Sequence, residues 1–266
     1  MSSFYRLRRS CAPWRCFEQT VVCLGLALFA LGAQADLIDV ISKSKPSIVA
    51  VGSFNITDSP RFGFRGTGFV VGDGSLVITN AHVLPDTQED EFGAGLAIRV
   101  VSDPTRLELR PATVISIDKT HDLVLLKIDG KPLPALPLAD SASVAEGLPI
   151  AFIGFPIGGA LGFTVVTHRG IISAITPVAL PMPSVAQLNE KTVKRIRAGV
   201  FNIYQLDAVA FPGNSGGPVL NVETAEVIGV LNMVFVKSTK EAALRDPSGI
   251  SYAIPVKWVN ELLTAR

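Results

Sequence analysis

The sequence predicts an all-β protein made of two successive sets of antiparallel strands. From residue 47 onwards, short runs rich in Val, Ile, Leu and Thr alternate with Gly, Asp and Pro, a pattern typical of a closed barrel or a sandwich. A proline-rich stretch over residues 130–140 fits neither a helix nor a central strand, so we expect it to connect the two sets. The 266 residues, 48% of them hydrophobic, suffice for one large core or two modest ones.

Each strand set follows from local pattern. The first is predicted at Ser47–Phe54, Gly66–Val71, Leu76–Thr79, Leu96–Ser102, Leu107–Ile117 and Leu123–Ile128. The second is predicted at Pro149–Phe155, Phe163–Val166, Gly170–Ala174, Phe201–Leu206, Gly217–Leu220, Val227–Val234 and Ile250–Ile254. We therefore expect a first barrel over residues 36–136 and a second over residues 137–266.

Three helices are expected beside the strands. Apolar spacing predicts a short N-terminal helix over Leu37–Ile41, and Pro255 opens a C-terminal helix that continues to Leu263 with Trp258 and Leu262 on one face. Between strands of the second set, a capping box at Ser184 and a stop at Gly199 predict an inserted helix.

Residues 1–35 have the pattern of a cleaved export signal. Arginines at positions 6, 8, 9 and 15 precede the apolar run Val21–Leu31, and Ala33-Gln34-Ala35 has the small residues of a cleavage site. We expect an exported, periplasmic or secreted chain that begins at Asp36 and makes no membrane contact after cleavage. An uncleaved signal anchor is the alternative interpretation.

Composition excludes several classes of function. Removing four arginines and one glutamate with the signal leaves 20 basic and 22 acidic residues, so the basic face of a nucleic-acid-binding protein is missing. All three cysteines lie before residue 36, and only three histidines are present, so we expect no disulfide framework, no metal site and no cofactor.

The segment Phe211–Pro218 is the first candidate for chemistry. Its three glycines, two prolines and one asparagine predict a tight turn that presents Ser215. Such a turn also leaves backbone N–H groups pointing into one concavity, which an oxyanion hole needs if Ser215 attacks a carbonyl. Taken alone, the segment is equally compatible with a plain hairpin loop.

Two further residues complete a constellation. His82 ends the predicted strand that runs through Leu76–Thr79, and Asp122 stands at the head of the almost wholly apolar Leu123–Ile128. A strand end is where a scaffold can hold a base, and an apolar neighbourhood strengthens the interaction of a carboxylate with a protonated imidazole. Singly, each residue is more often structural than catalytic.

Together these motifs resemble the trypsin-like serine proteases of the HtrA/Deg type. The resemblance rests on the residues around His82, Asp122 and Ser215, in that order, and extends to Gly66–Val71, Ile153–Gly158 and Ser251–Pro255. It implies a chymotrypsin-like pair of six-stranded antiparallel β-barrels with the active site between them.

The resemblance also implies residue roles. Ser215 would be the nucleophile, His82 the general base and Asp122 the residue that orients the imidazole, while Gly213, Asn214 and Ser215 would form the oxyanion hole. The substrate pocket would be lined by Val209, Leu231, Asn232 and Met233, which predicts cleavage after small or medium aliphatic residues. His121 and His168 are expected on the surface and in a loop, respectively.

Further implications concern activation and assembly. Asn214 stands where pancreatic-type relatives have the aspartate that pairs with a new N-terminus, so activation by that route is not expected. The chain is expected to be a protease domain without a PDZ domain, and the resemblance implies a homo-oligomer, commonly a trimer, acting on protein or peptide substrates.

Three functions remain open at this point. The first is a serine endopeptidase acting on exported proteins. The second is a low-turnover chaperone-like or peptide-binding module on the same fold, and the third is an ester or thioester hydrolase that uses the same acyl-transfer groups.

Overall fold

Two closed six-stranded antiparallel barrels make up most of the described chain, which confirms the predicted fold class. The computed structural model describes residues 37–85, 95–101, 108–140, 144–158, 162–178, 201–232 and 249–265. In the first barrel, the strand order is β1-β2-β3-β6-β5-β4, and in the second it is β10-β11-β12-β9-β8-β7. Both barrels belong to the same compact unit.

The strand bounds are as follows. The first barrel contains β1 (Ile48–Phe54), β2 (Phe62–Val71), β3 (Leu76–Asn80), β4 (Gly95–Val100), β5 (Glu108–Asp118) and β6 (Leu123–Ile128). The second contains β7 (Pro149–Gly154), β8 (Val166–Pro177), β9 (Asn202–Asp207), β10 (Pro218–Asn221), β11 (Val227–Asn232) and β12 (Ile250–Pro255).

The unbroken apolar sequence of β6 reflects burial on both of its faces. Successive side chains of a strand point to opposite sides. Leu123 and Leu125 therefore join a cluster that also contains Ile153 and Leu220 of the second barrel, whereas Val124 and Leu126 face the interior of the first barrel. The strand that follows Asp122 is thus held rigidly between two cores.

Short helices flank the barrels, as predicted. The N-terminal helix spans Leu37–Ser44 and the C-terminal helix spans Val256–Thr264. The C-terminal helix buries Val256, Val259 and Leu262, which recur every three residues along one face. The predicted inserted helix lies outside the described residues, and no helix within the described ranges is long and apolar enough to cross a membrane.

One predicted strand is longer than expected. The predicted run Gly170–Ala174 belongs to β8, which begins at Val166, the last residue of the predicted run Phe163–Val166, and passes through the residues between the two runs without a break. A Cβ on Gly170 would lie 2.4 Å from the carbonyl oxygen of Asp207 on β9. The glycine is therefore required by close strand approach rather than by a turn, and the expectation that His168 lies in a loop was wrong.

The part of the connection over residues 129–140 contacts first one barrel and then the other. Leu136 donates its N–H to the Val70 carbonyl of the first barrel at 2.9 Å. Ala139 then donates to the carbonyl of Val227 in the second barrel at 2.9 Å, and Val227 donates to Pro137 at 2.8 Å. The prolines expected in an extended connection thus alternate with residues that anchor it to both barrels.

Candidate active site

His82 lies in a single 3-10 turn, Ala81–Val83, that follows directly from β3. Beyond it, the Arg65 side chain donates from Nε to the Val83 carbonyl at 2.8 Å and from Nη2 to the Leu84 carbonyl at 3.0 Å. The imidazole is therefore carried on a short segment that is fixed at both ends, and 33% of its side-chain surface is exposed.

Asp122 occupies a turn residue with a left-handed backbone, φ 54°, immediately before β6. This conformation is uncommon for a residue with a Cβ, although Asp tolerates it better than most. It is stabilised by two bonds to the Asp122 carbonyl oxygen, from Ala81 N at 3.1 Å and from Asn80 Nδ2 at 3.0 Å. The same backbone segment that leads into His82 thus fixes the aspartate.

Both carboxylate oxygens of Asp122 contact His82. Oδ1 accepts the His82 backbone N–H at 2.9 Å, and Oδ2 lies 2.6 Å from the ring Nδ1. Because an ionised carboxylate only accepts hydrogen bonds, Nδ1 must carry the proton. This arrangement leaves the lone pair of a neutral imidazole on Nε2, where a general base needs it.

A residue of the second barrel also contacts the Asp122 carboxylate. Asn232, the last residue of β11, donates from Nδ2 to Asp122 Oδ2 at 2.7 Å and is fully buried. Its side chain therefore faces the aspartate, whereas the resemblance implies a place in the wall of the substrate pocket. The polar end of an otherwise apolar, fully buried strand was the available signal for such a role.

Ser215 sits in the expected tight turn. Asn214 N donates to the Phe211 carbonyl at 3.0 Å, and Gly217 N donates to the Asn214 carbonyl at 3.0 Å. Ser215 itself is 6% exposed. Gly216 has φ +84°, and a Cβ there would lie 2.2 Å from the Thr67 carbonyl oxygen, so only glycine fits beside the nucleophile candidate.

The structure brings this turn against the segment that carries His82. A Cβ built on Gly66 would lie 2.7 Å from Val83 Cγ2 and 3.0 Å from the Ser215 carbonyl oxygen. On the other side, a Cβ on Gly216 would lie 3.2 Å from Asn80 N. The turn that carries Ser215 therefore lies beside the segment that carries His82.

The candidate oxyanion hole has two unengaged backbone donors. Within the described part of the chain, neither Gly213 N–H nor Ser215 N–H has a protein acceptor. Asn214 N–H, the third expected donor, is already bonded to Phe211 and so belongs to the turn. The Asn214 amide side chain is fully buried, and neither of its polar atoms has a hydrogen-bond partner among the residues that the structure describes.

The expected substrate-pocket residues divide into two groups. The Leu231 side chain is buried in the core of the second barrel, and its backbone exchanges hydrogen bonds with Gly216 and Gly217. Val209 is half-buried. The neighbouring Ala208 carbonyl and Ala210 N–H are both bonded to Ser251 Oγ, at 2.7 and 3.1 Å, and Met233 lies outside the described residues.

His121, expected on the surface, is largely covered. Its ring stacks on Trp258 of the C-terminal helix, with centroids 3.6 Å apart, and meets the edge of Phe201 at 4.5 Å. Its Nδ1 lies 2.5 Å from Asp118 Oδ2. The expectation failed because Asp122 is in a left-handed turn, so the alternation of a strand does not apply to its neighbour.

His168 points into the second barrel. It stacks on Phe152, with centroids 4.8 Å apart, and Phe211 lies nearby at 5.9 Å. Its Nε2 is buried without a partner among the described residues, and burial lowers the pKa of the imidazole. The neutral form is therefore favoured.

The double barrel and the junction site define a class of protein. The family model of the trypsin-like peptidase domain matches residues 66–230, and the chain belongs to that family. Several relatives within that family are proteases of the HtrA type.

Curated relatives with this similarity come from bacteria and animals. A probable periplasmic serine endoprotease, DegP-like, from Pseudomonas fluorescens is 34% identical over 72% of this chain and 32% of its own length. The mitochondrial serine protease HTRA2 of Bos taurus is 33% identical over 85% of this chain and 42% of its own length. The chain thus spans less than half the length of these relatives.

A solved structure has the same fold. It is an HtrA-type protease with a tripeptide, and it matches 86% of this chain and 63% of its own with a TM-score of 0.60 at 24% identity.

Proposed function

We propose that the chain is a serine endopeptidase that uses Ser215 as nucleophile, His82 as general base and Asp122 to orient the imidazole. The observation that carries the proposal is the two-point contact of Asp122 with the His82 backbone N–H and Nδ1, which leaves Nε2 as the basic atom. Family membership and the names of the relatives support the same activity.

Each proposed step uses a group of this chain. Nε2 of His82 takes the proton of Ser215 Oγ as Oγ bonds to the scissile carbonyl carbon, and the carbonyl electrons move onto the oxygen. The N–H groups of Gly213 and Ser215 bind that oxyanion; when it re-forms the carbonyl, the carbon–nitrogen bond breaks and the imidazolium gives its proton to the leaving amine. Asp122 stabilises the imidazolium, and a water repeats the sequence to release the acyl group.

The test is hydrolysis of casein and of peptides by the purified chain, beside its Ser215→Ala variant, together with labelling by a serine-directed fluorophosphonate. We expect both reactions in the wild type and neither in the variant. Labelling without protein cleavage would instead support an ester or thioester hydrolase, and peptide binding without labelling would support the chaperone-like alternative.

We further propose that the chain cleaves the peptide bond that follows a small or medium aliphatic residue. Val209 and its flanking alanines offer no charge, and the polar groups around them are satisfied by Ser251, so an apolar side chain is the best match. A peptide library should show preference for Val, Ala or Leu before the cleaved bond, and a preference for Arg or Lys would refute this specificity.

Export is proposed from the pattern of residues 1–35, which lie outside the described residues. One relative is named periplasmic, while another is named mitochondrial, so the names do not agree on a compartment. N-terminal sequencing of exported protein should give Asp36 as the first residue, whereas recovery of Met1 would refute cleavage. The trimer implied by the resemblance also stays a prediction.

A further inference from the structure

A buried hydroxyl of the first barrel reaches across to the candidate oxyanion loop. Thr67 lies on β2 and is fully buried. Its Oγ1 donates to the Gly213 carbonyl at 2.6 Å and accepts the Phe155 N–H at 3.1 Å. One hydroxyl group therefore joins three segments that are distant in sequence, two of which belong to the second barrel.

The bond from Thr67 Oγ1 to the Gly213 carbonyl fixes the peptide that follows Gly213. The Thr67 backbone N–H also donates to the Ser215 carbonyl at 2.9 Å, so the same residue holds the carbonyls on both sides of Asn214. A peptide unit is planar, and its orientation is set once its carbonyl is fixed. Thr67 thus determines the orientation of the loop between the two proposed oxyanion donors.

The second bond acts on the peptide that precedes Gly213. Phe155 begins a short segment in which Ile157 N–H donates to the Pro212 carbonyl at 2.7 Å. Because the carbonyl and N–H of a trans peptide point in opposite directions, this bond turns the Gly213 N–H away from Ile157. The anchoring of Phe155 on Thr67 Oγ1 therefore supports the orientation of the main proposed donor.

The surroundings of Gly213 are too closely packed for another group to replace the Thr67 hydroxyl. Gly213 has φ +101°, and a Cβ there would lie 2.3 Å from the Phe155 carbonyl oxygen and 3.0 Å from the Phe64 ring. Without the hydroxyl, the Gly213 carbonyl and the Phe155 N–H lose their buried partner together, and both would be driven to rearrange.

We propose that Thr67 is a positioning residue for the oxyanion hole, in which its side-chain hydroxyl sets the orientation of Gly213. The inference rests on the proposed function, since it assumes that Ser215 is the nucleophile and Gly213 an oxyanion donor. It predicts that the hydroxyl matters for the transition state more than for substrate binding.

The experiment compares Thr67→Val, which replaces the hydroxyl by a methyl group, with Thr67→Ser, which keeps it. For a peptide substrate with an aliphatic residue before the cleaved bond, kcat of Thr67→Val should fall about 10- to 100-fold while KM changes less than about threefold. Thr67→Ser should stay within about threefold of the wild type. A peptide boronate, whose adduct places an oxygen in the oxyanion hole, should lose affinity in parallel with kcat.

Thr79→Val provides the matched control. Thr79 is also fully buried and lies against Gly216 of the same loop, but its hydroxyl donates to the Thr67 carbonyl at 2.7 Å rather than to Gly213. It should lower the melting temperature and leave kcat within about threefold of the wild type. If Thr79→Val loses as much kcat as Thr67→Val, or Thr67→Ser loses as much as Thr67→Val, the inference is wrong.

Folding and the proposed function are separated by two further measurements. If Thr67→Val does not fold by circular dichroism, Thr67→Ala is compared with Thr67→Ser. Should both variants without the hydroxyl be unfolded, the group is needed for folding and the positioning role is refuted. An unreactive wild type in the fluorophosphonate assay would refute the proposed function, and the role of Thr67 with it, whereas an active wild type with an active Thr67→Val refutes only the latter.

Discussion

Asn232 and His82, which come from different barrels, bind the same carboxylate oxygen of Asp122. The Asn232 Nδ2 to Oδ2 distance is 2.7 Å, and the His82 Nδ1 to Oδ2 distance is 2.6 Å. An acceptor with two donors at such distances is held in direction as well as in position. The orientation of the imidazole therefore depends on a residue 150 positions away in the sequence.

Replacing Asn232 by Ala should lower kcat/KM by roughly 10- to 100-fold, because a buried hydrogen bond to a charged group is lost. Asn232→Asp should be worse, since it places a second carboxylate against Asp122. Peptide hydrolysis is the measurement, with Asn221→Ala as control. Asn221 is similarly buried in the second barrel, where its Oδ1 accepts the Glu223 N–H, and its loss should leave kcat/KM unchanged. Equal losses in Asn232→Ala and Asn221→Ala would contradict the prediction.

Asp122→Asn should abolish most activity without unfolding the chain. Asn tolerates the left-handed backbone at this position, so the melting temperature should change little. An amide cannot favour the same tautomer of His82, and a loss in kcat of about 10,000-fold is expected. Kinetics and thermal melting of the same sample check both parts, and an active Asp122→Asn variant would remove this residue from the proposed mechanism.

Gly213→Ala should inactivate the chain by distorting the oxyanion loop. The new Cβ would meet the Phe155 carbonyl oxygen at 2.3 Å in a backbone conformation, φ +101°, that disfavours side chains. We expect kcat to fall at least about 100-fold. Gly147→Ala is the control for backbone strain, because Gly147 has φ +85° with open space around it. Its melting temperature should fall while kcat is retained, and a fully active Gly213→Ala variant would argue against this loop.

Trp258→Leu should reduce both stability and kcat. The change removes the surface on which His121 stacks, next to Asp122, and should cost about 1–3 kcal/mol of unfolding free energy. A looser turn should lower kcat by about three- to tenfold. Trp258→Phe retains a ring and should restore kcat. If the Leu and Phe variants hydrolyse a peptide equally fast, the stack has no bearing on the aspartate.

The buried His168 should make stability depend on pH. In the folded state, burial lowers the pKa of this imidazole below its ordinary value of 6.5. Below about pH 6.5, the unfolded chain therefore binds a proton that the folded chain resists, and stability falls as the pH is lowered. His168→Phe, which can keep the stack on Phe152, should flatten the dependence of melting temperature on pH between about 7 and 5. An unchanged slope would show that other groups cause it.

Local pattern predicted most of the fold, whereas the three proposed catalytic residues were chosen from the order of their motifs and the resemblance that these motifs carry. β6 could be predicted because its apolar run is long and continuous, and Ser215 because glycine and proline commit its surroundings to a turn. Three contacts could not be predicted, since each joins positions more than 100 residues apart and leaves no periodicity in the sequence: Asn232 with Asp122, Thr67 with Gly213, and Trp258 with His121. The loop expected around His168 was wrong because the polar run from Thr167 to Arg169 has the composition of a loop, although it lies on β8.

Two side chains donate hydrogen bonds from one barrel to the other. The Thr67 hydroxyl of the first barrel donates to Gly213 in the second, and the Asn232 amide of the second donates to Asp122 in the first. Each barrel therefore carries a proposed functional group, the oxyanion loop or the aspartate, whose orientation depends on a side chain of the other barrel. The rate at which a serine-directed reagent labels Ser215 should therefore depend on the contacts between the two barrels. During denaturation, this rate should fall when the barrels separate, even while each barrel still keeps its strands.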